Sequence, residues 1–268
     1  MTQVATDGAL QVEQLGESPL IVDVPHAGTR ILPAMQAQLT DIGRTLPDTD
    51  WHVEKLISFA PTLGASILVA THSRYVVDLN RDPTGLALYS GARNTELCPL
   101  TTFDDAPIYR PGAQPGAAEV EARRAACWAP YHARLQALIE RARSRHGFAI
   151  VLDAHSIRAR VPRFFEGRLP DLNLGTADGA SCAPAVAAAA FEVLRDSGLT
   201  HVLNGRFKGG YITRHYGTPS QGVHALQLET AQACYMDERP PYGWSPERAQ
   251  RLLEVLRLLL GRLARLRL

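Results

Sequence analysis

The segment FAIVLDAHS (Phe148–Ser156) decides how this chain is read: an apolar run stops abruptly at an acid, a small residue, a histidine and a serine. A short apolar run with such a boundary reads as a strand buried on both faces. In an open α/β sheet, the carboxyl ends of such strands are where ligands bind. The same pattern recurs on either side. PLIVDV (Pro19–Val24) runs into Pro25-His26-Ala27-Gly28, and Ala225–Leu228 runs into Glu229-Thr230. Tyr75–Leu79 carries Asp78 and runs into Asn80-Arg81, and Ser66–Ala70 is a further expected strand.

Helical patterns separate these strands. Thr49–Ala60 places Val53, Leu56, Ile57 and Ala60 on one face. Trp128, Tyr131, Leu135, Leu138 and Ala142 recur at steps of three and four, with Gly147 as a stop. Ala183–Arg195 is Ala-rich, and Ser245-Pro246 supplies an N-cap and a first-turn proline for a last helix. Such alternation predicts an α/β fold: one domain over residues 1–268, with a central, mostly parallel mixed sheet and helices on both faces. Asp82–Ala118, rich in Gly, Pro and polar residues, reads as a long loop over the sheet, a feature that is often functional.

Bulk properties narrow the function. Of 268 residues 46% are apolar and 21% charged, enough for a large core, and the formal net charge is +1. So weak a field argues against nucleic acid or an anionic membrane as partner. Cys98, Cys127, Cys182 and Cys234 form no CxxC pair and read as packed, reduced thiols. No basic-then-apolar leader opens the chain, and no run reaches the ~18 apolar residues of a membrane span. A cytoplasmic chain acting on a small molecule is expected, with its oligomeric state open.

His26 and His155, brought to one sheet edge with a carboxylate, would form a three-donor N/O set with an open position, as in a catalytic zinc site. The third donor is less plain, since position 29 is Thr where an HxxE spacing needs Glu. Asp50 is the first choice and Glu54, four residues on, the reserve. Glu229, at the end of an apolar strand, either pairs with an arginine or serves as general base. Arg74, Arg81, Arg93 and Arg214 lie in loop-like segments and suit bidentate capture of carboxylates. The glycines of KGGYITRH (Lys208–His215) allow a tight backbone path near a ligand.

Several segments together carry a family resemblance: VPHAGTRILP (Val24–Pro33), DTDWHVEKL (Asp48–Leu56), SRYVVDLNRDP (Ser73–Pro83), LDAHS (Leu152–Ser156), KGGYITRHYGTP (Lys208–Pro219) and HALQLETAQACYMDE (His224–Glu238). In this order, over nearly the whole chain, they resemble the N-formylglutamate amidohydrolase family. The resemblance implies a fold like zinc carboxypeptidases and aspartoacylase, and hydrolysis of N-formyl-L-glutamate to glutamate and formate in histidine degradation. His26 and His155 match the two zinc histidines of that family and Glu229 its general base. The missing Glu after His26 departs from its pattern, so the third ligand of the one expected Zn²⁺ is taken as Asp50 and the oxyanion partner as Arg74. Asn80 and Arg81 match an aspartoacylase-type element that holds a substrate carboxylate; Arg93, Arg214 and His215 complete the expected substrate contacts. Two rival readings are a deacylase of another N-acyl amino acid or carboxypeptidase-like hydrolase, and a metal-free small-molecule binding protein.

Overall fold

The computed structural model describes residues 11–86 and 95–268. Among them, seven strands form one mixed sheet: β1 (Gln11–Gln14), β2 (Leu20–Val24), β3 (Ser66–Ala70), β4 (Ala149–Ile157), β5 (Leu172–Gly175), β6 (His201–Leu203) and β7 (Val223–Ala231). Their spatial order is β1-β3-β2-β4-β7-β5-β6. The β3–β2, β2–β4, β4–β7 and β5–β6 pairings are parallel, and β1–β3 and β5–β7 are antiparallel.

Strand alternation sends successive side chains to opposite sides of this sheet. Leu20, Val22, Val24, Ile150, Leu152, Ala154, Leu226 and Leu228 join one apolar cluster with the helices Pro184–Arg195 and Pro246–Ala264. Ile21, Ala149, Val151 and Ala225 join a second cluster with Tyr131, Leu135, Leu138 and Ala142 of the helix Ala129–His146. That helix ends at Gly147 (φ 80°), and the Ser245 side chain caps the last helix by accepting from Arg248 N. No helix among the described residues is long and apolar enough to cross a membrane.

Three local expectations change. Tyr75–Leu79 is buried but is not a strand; it runs through turns. Its carbonyls are met by side chains rather than by a ladder: Arg123 Nη1 donates to Tyr75 O and Val76 O, and His132 Nε2 bonds Leu79 O at 2.9 Å. The expected helix over Thr49–Ala60 is reduced to Val53–Leu56 and a 3₁₀ turn at Ala60–Leu63, because His52 takes a left-handed φ of 64°. β1, β5 and β6, all short, were not foreseen, while β4 continues through Asp153 and His155 to Ile157. The expected loop over Asp82–Ala118 shows no regular element in its described part before the helix Ala117–Arg123.

Candidate active site

The polar residues reach one place through strand alternation. On the side of Val151 and Ala225, β4 continues with Asp153 and His155, and β7 with Gln227 and Glu229. Register sets Asp23 beside Asp153, Asp153 beside Gln227, and His155 beside Glu229. All are buried, and a buried polar group is costly unless it is paired.

Their partners show how. His26 follows β2, and its backbone O accepts from Asp50 N at 3.1 Å. The left-handed turn at His52 holds Asp50 inward, 1% exposed, and leaves Glu54 on the surface. Asp50 Oδ2 lies 3.0 Å from His155 Nδ1 and 3.9 Å from His26 Nδ1, and accepts from Ser156 N. One donor atom from each of His26, Asp50 and His155 falls within 4.8 Å of the others.

The opposite ring nitrogens face carboxylates. His26 Nε2 lies 2.7 Å from Asp78 Oδ1, and His155 Nε2 lies 2.7 Å from Asp153 Oδ1. A carboxylate behind each imidazole is what orients histidines that ligate metal. Two inward nitrogens, one carboxylate and two such supports fit a divalent cation of the zinc type.

Charge is tightly organised around these donors. Arg74 donates to Asp78 Oδ2 at 2.7 Å and reaches Asp50 Oδ1 at 3.7 Å. Against the cost of burial, His26 and Arg74 hold the Asp78 carboxyl well below the usual carboxylate range. Burial lowers His26, whereas Asp153 and Asp50 outweigh burial at His155 and hold it well above its usual value. Burial pushes Glu229 up to about 8, with His155 and Arg74 pulling it back.

The segment bearing Arg74, Asp78, Asn80 and Arg81 is held from behind by the helix that covers this face. Besides Arg123 and His132, Trp128 Nε1 donates to Arg81 O at 3.2 Å, from a π-turn at Arg124–Trp128. Asn80 Oδ1 accepts from Ile212 N, so its Nδ2 faces Asp153 Oδ2 at 3.0 Å and His155 Nε2 at 2.8 Å. Gly210 packs directly on this amide; a Cβ there would sit 2.4 Å from Asn80 Nδ2.

A cavity opens over the triad. His26, Asp50, His155, Arg74, Asn80, Arg81 and Glu229 all line it. Arg214 and His215 do not; both are exposed on the helix Tyr211–Tyr216, where Arg214 Nε donates to Gly209 O. Arg93 lies outside the described residues. Sequence reasoning missed Arg206, Gln227, Phe103, Phe164 and Phe207, which also line the cavity. Gln227 was accessible from strand alternation, two residues before Glu229; the others sit in irregular segments with no periodicity to reveal them.

Known proteins resemble this chain over most of its length. The family model described as N-formylglutamate amidohydrolase matches residues 18–236. An N-formylglutamate deformylase of Pseudomonas aeruginosa is 51% identical over 91% of this chain and 92% of its own length. One from Pseudomonas putida is 46% identical over the same shares. The crystal structure of an N-formylglutamate amidohydrolase from Ralstonia eutropha JMP134 superposes with a TM-score of 0.80 at 30% identity, over 96% of this chain and 97% of that one. A gene product of Agrobacterium tumefaciens shares the fold at a TM-score of 0.72 and 17% identity, over 96% and 95% of the two chains. A match of this extent, on a chain whose buried histidines and acids converge in one cavity, makes the protein a member of the N-formylglutamate amidohydrolase family.

Proposed function

We propose that this enzyme hydrolyses N-formyl-L-glutamate to L-glutamate and formate, a reaction of histidine degradation, using one divalent cation, zinc by preference, held by His26, Asp50 and His155. The observation that carries this reading is the buried triad with Glu229 beside it, in a cavity walled by arginines. When bound, such an ion supplies Lewis-acid polarisation of a carbonyl and makes water more acidic.

The chain's own groups account for the proton movements. Glu229 takes a proton from the water that attacks the formyl carbon, and returns it to the amine nitrogen as the C–N bond breaks. A carboxyl brought near neutrality is suited to both transfers. Arg74, fixed by Asp78 and Asp50, is placed to offset negative charge gathering on the carbonyl oxygen. Arg81 holds the carboxylate next to the scissile amide. Asn80, whose amide is engaged with Asp153, His155 and Ile212, orients the site.

The test is release of formate or acetate from N-formyl-L-glutamate and N-acetyl-L-glutamate by the purified protein. Preferential turnover of the formyl compound is expected. A metal-loaded protein that hydrolyses neither compound, or prefers the acetyl one, refutes the assignment.

A further inference from the structure

A substrate with two carboxylates calls for two cationic contacts, and among the described residues the cavity presents three guanidiniums: Arg74, Arg81 and Arg206. Arg74 is committed to Asp78 and Asp50 and lies beside the triad. Arg81 adjoins Asn80, whose amide touches His155, so it lies near the reacting end. Arg214, expected from the sequence to serve, is exposed and outside the cavity lining.

Arg206 stands apart from the triad along an aromatic wall. The Arg74 guanidinium carbon lies 4.9 Å from the Phe103 ring centre, and the Phe103 and Phe164 rings meet edge-on at 5.0 Å. Beyond them, the Arg206 guanidinium carbon lies 5.8 Å from Phe164 and 5.3 Å from Phe207. Its Nε donates to Phe164 O, which orients the planar fork. Aromatic edges suit methylenes, and an oriented fork suits a carboxylate, at little cost in side-chain freedom.

We propose that Arg206 is the specificity determinant of this site, binding the carboxylate remote from the scissile amide while Arg81 binds the near one. The proposal rests on the hydrolytic reading above and extends it: the enzyme selects acyl amino acids whose side chain ends in a carboxylate two methylenes from Cα.

The experiment compares N-formyl-L-glutamate with its neutral near-isostere N-formyl-L-glutamine, in wild type, Arg206→Met and Arg206→Lys. Binding of glutarate is followed in parallel by calorimetry, and circular dichroism checks that each variant is folded. Removing one partner of a charged contact predicts a loss of about 100-fold in kcat/KM for the glutamate compound in Arg206→Met, mainly through KM. The glutamate-to-glutamine preference falls toward unity, glutarate affinity falls in step, and Arg206→Lys recovers part of both. An unchanged preference in the folded variants, whether both activities fall or neither does, overturns the proposal. If wild type turns over neither formyl compound, glutarate decides: Arg206-dependent binding keeps the subsite and discards the formyl reading, and Arg206-independent or absent binding overturns the subsite.

Discussion

On β4, Ile150, Leu152 and Ala154 face the helices Pro184–Arg195 and Pro246–Ala264 and are apolar throughout. Their neighbours Val151, Asp153 and His155 point to the other side, where Val151 packs with the helix Ala129–His146 and the strand then turns polar. The first side is held mainly by apolar contact, with His224 Nδ1 accepting from Ala183 N at its edge. The second holds Asp153, His155 and Gln227 away from water with partners from other segments, and Glu229 beside them with Gln227 Nε2 donating to its Oε2 at 3.5 Å. Under the proposed function the chemistry falls on one side of the sheet, next to the second apolar cluster, while the other side serves packing, and substitutions on the two sides should fail in different ways.

The strongest contrast comes from the polar side. Replacing Glu229 by Gln keeps the shape and removes the proposed base, so on this reading kcat should fall about a thousandfold while metal content and melting temperature hold. Loss of metal in this variant would make Glu229 a ligand and refute its assigned role. Leu152→Ala, on the opposite side of β4, should destabilise by about 3.5 kcal/mol in denaturant titrations, as large-to-small core changes do. The protein that remains folded should keep near-wild-type kcat/KM; a collapse in kcat would show that the two sides are not separable.

A smaller effect concerns pH. His132 stacks on Trp128 at 3.8 Å and bonds Leu79 O, and burial pushes its imidazole down to about 4. Its folded value lies below the unfolded ~6.5, so the folded state binds the proton less readily. The contribution is therefore fully present above pH 6.5 and is lost as pH falls toward 4, by about 3 kcal/mol. His132→Phe should flatten the stability profile over that window; an unchanged slope would place the acid sensitivity elsewhere.

The same contrast explains how much was legible from sequence. The buried strands and the face of the helix Ala129–His146 follow from periodicity, because apolar packing writes a regular pattern. His26, His155 and Glu229 were visible as polar residues where an apolar run stops. The choice between Asp50 and Glu54 was not, because it turns on the left-handed backbone of His52, which spacing does not encode. Tyr75–Leu79 read as a strand because it is apolar and buried; its support comes from Arg123 and His132, some fifty residues away. Arg206 was missed for a similar reason, since only the fold brings it to Phe164.

The proposed metal on His26, Asp50 and His155 makes amide hydrolysis metal-dependent. The most direct test is zinc content together with formate release from N-formyl-L-glutamate, before and after chelation, in wild type and Asp50→Ala. Expected are one zinc per wild-type chain, activity lost on chelation and restored by Zn²⁺, and neither metal nor turnover in a folded Asp50→Ala. Full turnover by protein stripped of metal would contradict that dependence.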